Sequence, residues 1–283
     1  MVERWVVLPE GAPESTQAAF AQVLAVHAAL LHTGKVLYFG GSEHVNTFQP
    51  IDDSNIDDKR IWDPVTGAVI KVPSPQPPPQ HLYDLFCCGH AFLPDGRLLV
   101  GGGTSAYPQG DLHHEHYRGS RRTSLFDPVA AIGQSWRAAG EMIQPPPNEL
   151  QPGAGPNEDG SLGGGGRWYP TLIALPDGSV VAFGGHPEAA DGRHSNYSVE
   201  VWSPDRGLGG SWRLASEEPQ SVKDANNTLQ RPEVFPRAHV LPNGRVFLAC
   251  LIDGNSYSWD PYTRPSSLSG WLGKDCDFSI GTH

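Results

Sequence analysis

The chain has 283 residues, 38% of them apolar, with 33 glycines and 27 prolines, a mixture that suits many short strands joined by turns and not long helices. Its net charge is −11 and only Arg118–Arg122 (RGSRR) approaches a basic cluster, which excludes a phosphate-neutralising nucleic-acid surface. Four cysteines are too few for a disulfide framework at this length, and no apolar run is long enough to cross a bilayer as a helix.

Residues 1–21 read as a lead-in. They begin MVERWVVLPEG, without the basic start and apolar core of a secretory leader. The expectation is a cytoplasmic protein, or an exported one whose leader is absent from this sequence. From residue 22 onward one unit recurs. Four segments align on a shared glycine: AVHAALLHTGKVLYFGG on Gly34, CCGHAFLPDGRLLVGGG on Gly96, YPTLIALPDGSVVAFGG on Gly178 and FPRAHVLPNGRVFLACL on Gly244. Each predicts a strand, a tight turn and a second strand, because Asp-Gly and Asn-Gly accept the positive φ that hairpin turns need. Each is followed by an aromatic and a turn: Trp62 in IWDPVTG, Phe126 in LFDP, Trp202 in VWSP and Trp259 in SWDPYT. These predict a third strand ending in a turn, with a fourth after it.

Four strands per unit of roughly 40 residues or more is the pattern of propeller blades, and a β-sandwich is the competing architecture. Diglycines at Gly40–Gly41, Gly102–Gly103 and Gly184–Gly185 close the second strands in the manner of Kelch blades, while the fourth copy reads FLACL. The predicted fold is therefore an all-β, Kelch-like propeller over residues 22–283, with about four recognisable blades. The tail WLGKDCDFSIGTH leads toward a fifth. An open stack of blades exposes two sheet faces, so a further C-terminal portion or a second chain is expected to complete the ring.

The segments between blades are polar. VPSPQPPPQ (72–80) and the Gly-rich, acidic stretch 144–166 read as connectors at one end of the blades. DLHHEHYRG holds His113, His114, Glu115 and His116, residue types that bind metals, though without fixed spacing they read first as a solvated loop. With His44, His81, His186 and His194 they are expected to decorate that same end. No phosphate-binding loop and no G-x-S-x-G elbow occurs.

Two positions stand out within the repeat. Cys87 lies nine residues before Gly96 and Tyr169 nine before Gly178, with Ala25 and Phe235 at the same offset in the outer copies. Equal offset on a first strand predicts equal height and facing, so Cys87 and Tyr169 should approach each other at the end opposite the PDG turns. Cys88 would point the other way, into the blade. Cys250 reads as a buried small residue and Cys276 as a loop residue.

Here the chain resembles the galactose oxidase and glyoxal oxidase family of copper radical oxidases. The resemblance rests on Asp84, Phe86, Cys87 and Gly89, followed one blade later by Arg167, Trp168, Tyr169 and Pro170. It implies a seven-bladed Kelch-like propeller with copper as cofactor. It further implies a thioether between Cys87 and the ring of Tyr169, and copper bound by Tyr169. The linked phenol would hold a radical. The activity implied is oxidation of a primary alcohol or aldehyde by dioxygen, with release of hydrogen peroxide. Copper(II) prefers nitrogen and oxygen ligands in tetragonal array, so a phenolate suits it.

The chain departs from that pattern in two places. It contains no Tyr-His dipeptide, which supplies a copper ligand pair in the family. His186 and Pro187 follow Gly184–Gly185, where galactose oxidase carries a tryptophan over the thioether. The chain alone is thus expected to lack a complete copper shell. The alternative function is a non-catalytic Kelch-type propeller that serves as a binding module.

Overall fold

Apolar runs of four to nine residues separated by glycine turns have one way to bury both faces, which is to stack as short antiparallel sheets. The computed structural model describes residues 23, 25–40, 59–75, 84–106, 118–143, 165–186, 196, 199–204, 209–215, 222–223, 229–230, 235–249 and 256–262. The first sheet holds β1 (His27–Leu30), β2 (Val36–Phe39), β3 (Lys59–Trp62) and β4 (Val69–Lys71). The second holds β5 (Asp84–Phe92), β6 (Leu98–Ala106), a two-residue β7 (Arg118–Gly119), β8 (Thr123–Phe126) and β9 (Trp136–Ala138). The third holds β10 (Thr171–Ala174), β11 (Val180–Phe183), β12 (Glu200–Ser203) and β13 (Ser211–Leu214). A small hairpin, β14 (Val222–Lys223) with β15 (Leu229–Gln230), was not anticipated. The last sheet holds β16 (Arg237–Val240), β17 (Val246–Ala249) and β18 (Tyr257–Trp259).

Neighbours in each sheet run antiparallel and follow chain order, except that β6 of the second sheet pairs with both β8 and the short β7; this is the meander of a propeller blade. The fold is all-β, as expected from the repeat, and the third and fourth strands fall where the aromatic turns predicted them. A fourth strand of the last blade, the fifth blade, Cys250, Cys276 and the His-rich loop lie outside the described residues.

The hairpin turns explain their own consensus. The four turn glycines, Gly34, Gly96, Gly178 and Gly244, have φ between 78° and 84°. In three of the turns the preceding Asp or Asn accepts from the amide after the glycine: Arg97 to Asp95 (3.0 Å), Ser179 to Asp177 (2.9 Å) and Arg245 to Asn243 (3.1 Å). Short polar side chains can satisfy a turn backbone in this way.

The core lies between blades. Leu98 and Val100 of β6 join a cluster with Leu37, Phe39 and Ile61 of the first blade. Leu99, between them, joins Leu172, Val180, Ala182 and Trp202 of the third blade. On β11 the pattern repeats, with Val181 and Phe183 facing Val246, Leu248 and Trp259 of the last blade. Alternating side chains of one strand thus serve two different cores. That is why the second strands read as unbroken apolar runs, each fully buried Leu or Val contributing about 1.5–3 kcal/mol. At the junction of the first two blades, His27 stacks on Phe39 (centroids 5.0 Å) and meets His90 edge-on (5.6 Å).

Candidate functional site

The first strands of neighbouring blades touch at their lead-in ends, where Cys87 and Tyr169 lie. The Tyr169 amide donates to the Cys87 carbonyl at 2.7 Å, and the Phe235 amide donates to the Tyr169 carbonyl at 2.7 Å. The residues at equal offset in three blades therefore form a chain of backbone hydrogen bonds. All three have a left-handed backbone: φ is 58° at Cys87, 62° at Tyr169 and 45° at Phe235. Residues with a Cβ pay roughly 1–2 kcal/mol for that conformation. The interblade hydrogen bonds offset part of the strain. Ala25, the fourth equivalent, is not among the positive-φ residues.

This corrects the expected origin of the alignment. Cys87 lies within β5, but at a bulge: Asp84 pairs with Thr104 and Cys88 with Gly102, so two residues of β5 are extra between those pairs. Tyr169 precedes β10 and is not in a strand at all. The pair is brought together by matched left-handed turns, not by strand alternation. The bulge is braced by Asp84, whose Oδ1 accepts from the Phe86 amide at 2.9 Å, and by the Thr104 hydroxyl donating to the Phe86 carbonyl at 3.2 Å. Asp84 and Thr104 are both buried. Cys88 is fully buried, in the apolar cluster between the first two blades and not inside its own blade as expected. Cys87 is also fully buried, and both cysteines are free of disulfides.

Gly89 sets how closely the blades approach. A Cβ there would lie 2.6 Å from Leu172 Cδ1 and 2.9 Å from the Pro170 carbonyl oxygen, so a glycine is required beside the Tyr169 turn. The diglycines serve a neighbouring residue. A Cβ on Gly102 would fall on the Arg167 carbonyl, and one on Gly185 would lie 2.9 Å from the Arg167 Cβ. One diglycine departs slightly from expectation: Gly102–Gly103 lie inside β6, which continues to Ala106.

Two aromatic rings flank Tyr169. Trp168 lies 4.0 Å away between centroids and Phe235 4.3 Å, tilted by 45° and 47°. The sequence left the facing of Trp168 open and assigned Phe235 no part beyond its offset. Trp168 and His186 exchange backbone hydrogen bonds of 2.7 and 2.6 Å. His186, which follows the Gly184–Gly185 diglycine, is buried.

The sequence reading also missed a buried ion pair. Arg167 Nη2 lies 2.8 Å from Glu200 Oε1, with both side chains fully buried. Burial pushes the Glu200 carboxyl above its ordinary value, and the Arg167 charge opposes that rise. A glutamate interrupting the apolar run SVEVW was the available signal.

As for copper, the donor set among the described residues is partial. Tyr169 offers a phenol, but its flanking rings are tryptophan and phenylalanine, which supply no copper donor. Among the described residues no group of three or more His, Cys, Asp or Glu side chains comes together. His44, His81, His113, His114, His116, His194 and His283 lie outside the described residues.

No family model matches the chain. A solved structure described as a novel fungal alcohol oxidase with catalytic diversity among the AA5 family, in complex with copper, is similar at 15% identity and a TM-score of 0.41, over 89% of this chain and 65% of that one. That likeness is too loose to bear on the argument. Aldehyde oxidase GLOX of Vitis pseudoreticulata is 31% identical over 168 residues, or 59% of this chain. The chain spans 23% of the length of that relative. Over those 168 residues the chain is similar to that aldehyde oxidase, and its Cys87 and Tyr169 motifs resemble the galactose oxidase and glyoxal oxidase family.

Proposed function

We propose that the chain carries the crosslinked half of a copper radical oxidase site, with Cys87 joined to the Tyr169 ring through a thioether and Tyr169 serving as a copper ligand. The observation that supports this reading best is the 2.7 Å hydrogen bond from the Tyr169 amide to the Cys87 carbonyl, made between two residues of matching left-handed backbone. Forming the link removes one hydrogen from the Cys87 thiol and one from a ring carbon of Tyr169 as the carbon–sulfur bond is made. The two electrons and two protons pass to dioxygen, giving hydrogen peroxide. A sulfur substituent donates electron density to the phenol and makes its one-electron oxidation easier. The substrates are then small primary alcohols or aldehydes, oxidised with dioxygen as co-substrate. Copper bound at the phenol would supply the second one-electron centre that such an oxidation needs.

The test is a thiol count. Protein exposed to copper and air is unfolded, reduced and alkylated, and the peptide holding Cys87 and Cys88 is weighed. A thioether resists both reduction and alkylation, so unlinked peptide carrying two alkyl groups should disappear as the link forms. Full recovery of doubly alkylated peptide would overturn the proposal and leave the binding propeller as the better reading.

A further inference from the structure

The Arg167–Glu200 pair has more bonds than an ion pair requires, and they all converge on the segment that presents Tyr169. Arg167 Nη1 donates to the Gly184 carbonyl at 2.6 Å, and Nε and Nη2 donate to Glu200 Oε1 at 3.3 and 2.8 Å. The other carboxylate oxygen, Oε2, accepts from the Ile143 amide at 2.7 Å. Ile143 follows β9, so Glu200 ties the third blade to the segment that leaves the second. The backbone of Arg167 is held as well, its amide donating to Ser120 and its carbonyl accepting from Gly103, both at 3.0 Å. Three of the partners (Ile143, Ser120 and Gly103) come from the second blade, and two (Gly184 and Glu200) from the third. Tyr169 is two residues further along the chain.

Stability does not account for this arrangement. Taking two charges out of water costs about as much as their attraction returns, and apolar residues of similar volume commonly serve as well or better. What an ion pair supplies that apolar packing does not is direction, through a planar fork whose donors have fixed angles. One glycine of each neighbouring diglycine, Gly102 and Gly185, leaves room that Arg167 occupies.

We propose that Arg167 and Glu200 are positioning residues for the Cys87–Tyr169 site: their buried bonds fix the lead-in of the third blade against the second, and so hold Tyr169 in the left-handed turn that meets Cys87. The proposal rests on the crosslink reading above and adds the device that sets its geometry. A displacement of about 1 Å can slow an oriented reaction by up to about a hundredfold, so loosening this anchor should slow the link much more than it loosens the fold.

The decisive variant replaces both partners, Arg167→Met with Glu200→Leu, which keeps volume and burial and leaves no charge unpaired. Glu200→Gln, which keeps the side chain's shape, is measured beside it. Two quantities are read: amide exchange by mass spectrometry across all four sheets, and the rate at which the Cys87–Tyr169 fused peptide forms under copper and air. The expected result is exchange at residues 167–171 faster by about tenfold or more with exchange in β6 and β11 unchanged, and link formation slower by about 10- to 100-fold. Unchanged exchange and unchanged link formation would overturn the proposal. So would a uniform rise in exchange through every sheet, which would mark the pair as a general support. If the wild-type protein forms no link, the crosslink reading fails, and local exchange at 167–171 still decides whether the pair positions Tyr169.

Discussion

The junction between the second and third blades and the junction between the third and fourth share one backbone device and differ in everything built on it. At the first, the Tyr169 amide meets the Cys87 carbonyl; at the second, the Phe235 amide meets the Tyr169 carbonyl, both at 2.7 Å. The left-handed backbone is present at Phe235 as well. Strain of that kind often marks functional sites, but here it belongs to the repeat. The difference lies in the residues hung on it. The second junction has a half-exposed Phe235, and its blade reads FLACL where the others carry diglycine. The first has a buried cysteine whose carbonyl accepts from the Tyr169 amide, a glycine at 89 and a buried ion pair on Arg167. A repeated fold thus supplied the geometry in several places, and particular side chains made one of them a candidate for chemistry.

The same contrast runs through the position seven residues before each turn glycine, occupied by His27, Gly89, Thr171 and Arg237. Gly89 packs against the Pro170 carbonyl; Thr171 donates its hydroxyl to the equivalent Pro236 carbonyl at 2.6 Å. His27 fills the place with a buried ring.

The largest effect should come from removing the chemistry while keeping the frame. Tyr169→Phe should abolish the fused peptide entirely and leave the melting temperature close to wild type. Phe235→Tyr, which sets a phenol on the same backbone at the other junction, should create no second link. Peptide mapping of both variants breaks the comparison if the second forms one.

Next is a pH effect at the junction of the first two blades. Burial, and then the neighbouring His90, lowers the His27 imidazole to about 4. The unfolded chain takes up a proton near 6.5, so as pH falls below that value the unfolded state gains protons first. Stability is complete above 6.5, falls by about 3 kcal/mol on the way to pH 4, and levels off below it. Urea unfolding from pH 7 to 4 should show His27→Leu to be flatter by about that amount. Burial lowers His90 too, so part of the slope should remain.

Gly89→Ala should follow, since its Cβ must displace Leu172 or the Pro170 carbonyl. Overpacking costs about 1–3 kcal/mol, and spreading the blades here should also reduce the fused peptide. Thr171→Val, at the equivalent place one blade on, loses a single hydrogen bond. It should cost about 1 kcal/mol and leave the link unaffected, which denaturant melts and peptide maps would check together.

The blades were legible because their signals are local. Turn glycines, their Asp or Asn neighbours and doubly buried second strands each declare themselves within a few residues. Cys87 and Tyr169 were legible only by register, once the copies had been aligned. The reason for their meeting was not legible, since nothing in the residue names Cys, Tyr and Phe predicts a left-handed backbone. That conformation is imposed by the next blade, through bonds between residues 66 to 82 positions apart. The Arg167–Glu200 pair stayed hidden for the same reason. Arg167 was part of the R-W-Y-P motif, but its partner lies 33 residues on, in a strand where a lone glutamate was read past. Asp84 needed no distant partner, because its brace on Phe86 spans two residues.

The most direct test of the central claim is a peptide mass map of the wild-type chain after copper loading and exposure to air. The account predicts a fused peptide containing Cys87 and Tyr169, lighter by two hydrogens than the sum of its parts and absent from Tyr169→Phe. Separate, unmodified Cys87 and Tyr169 peptides under the same conditions would contradict it.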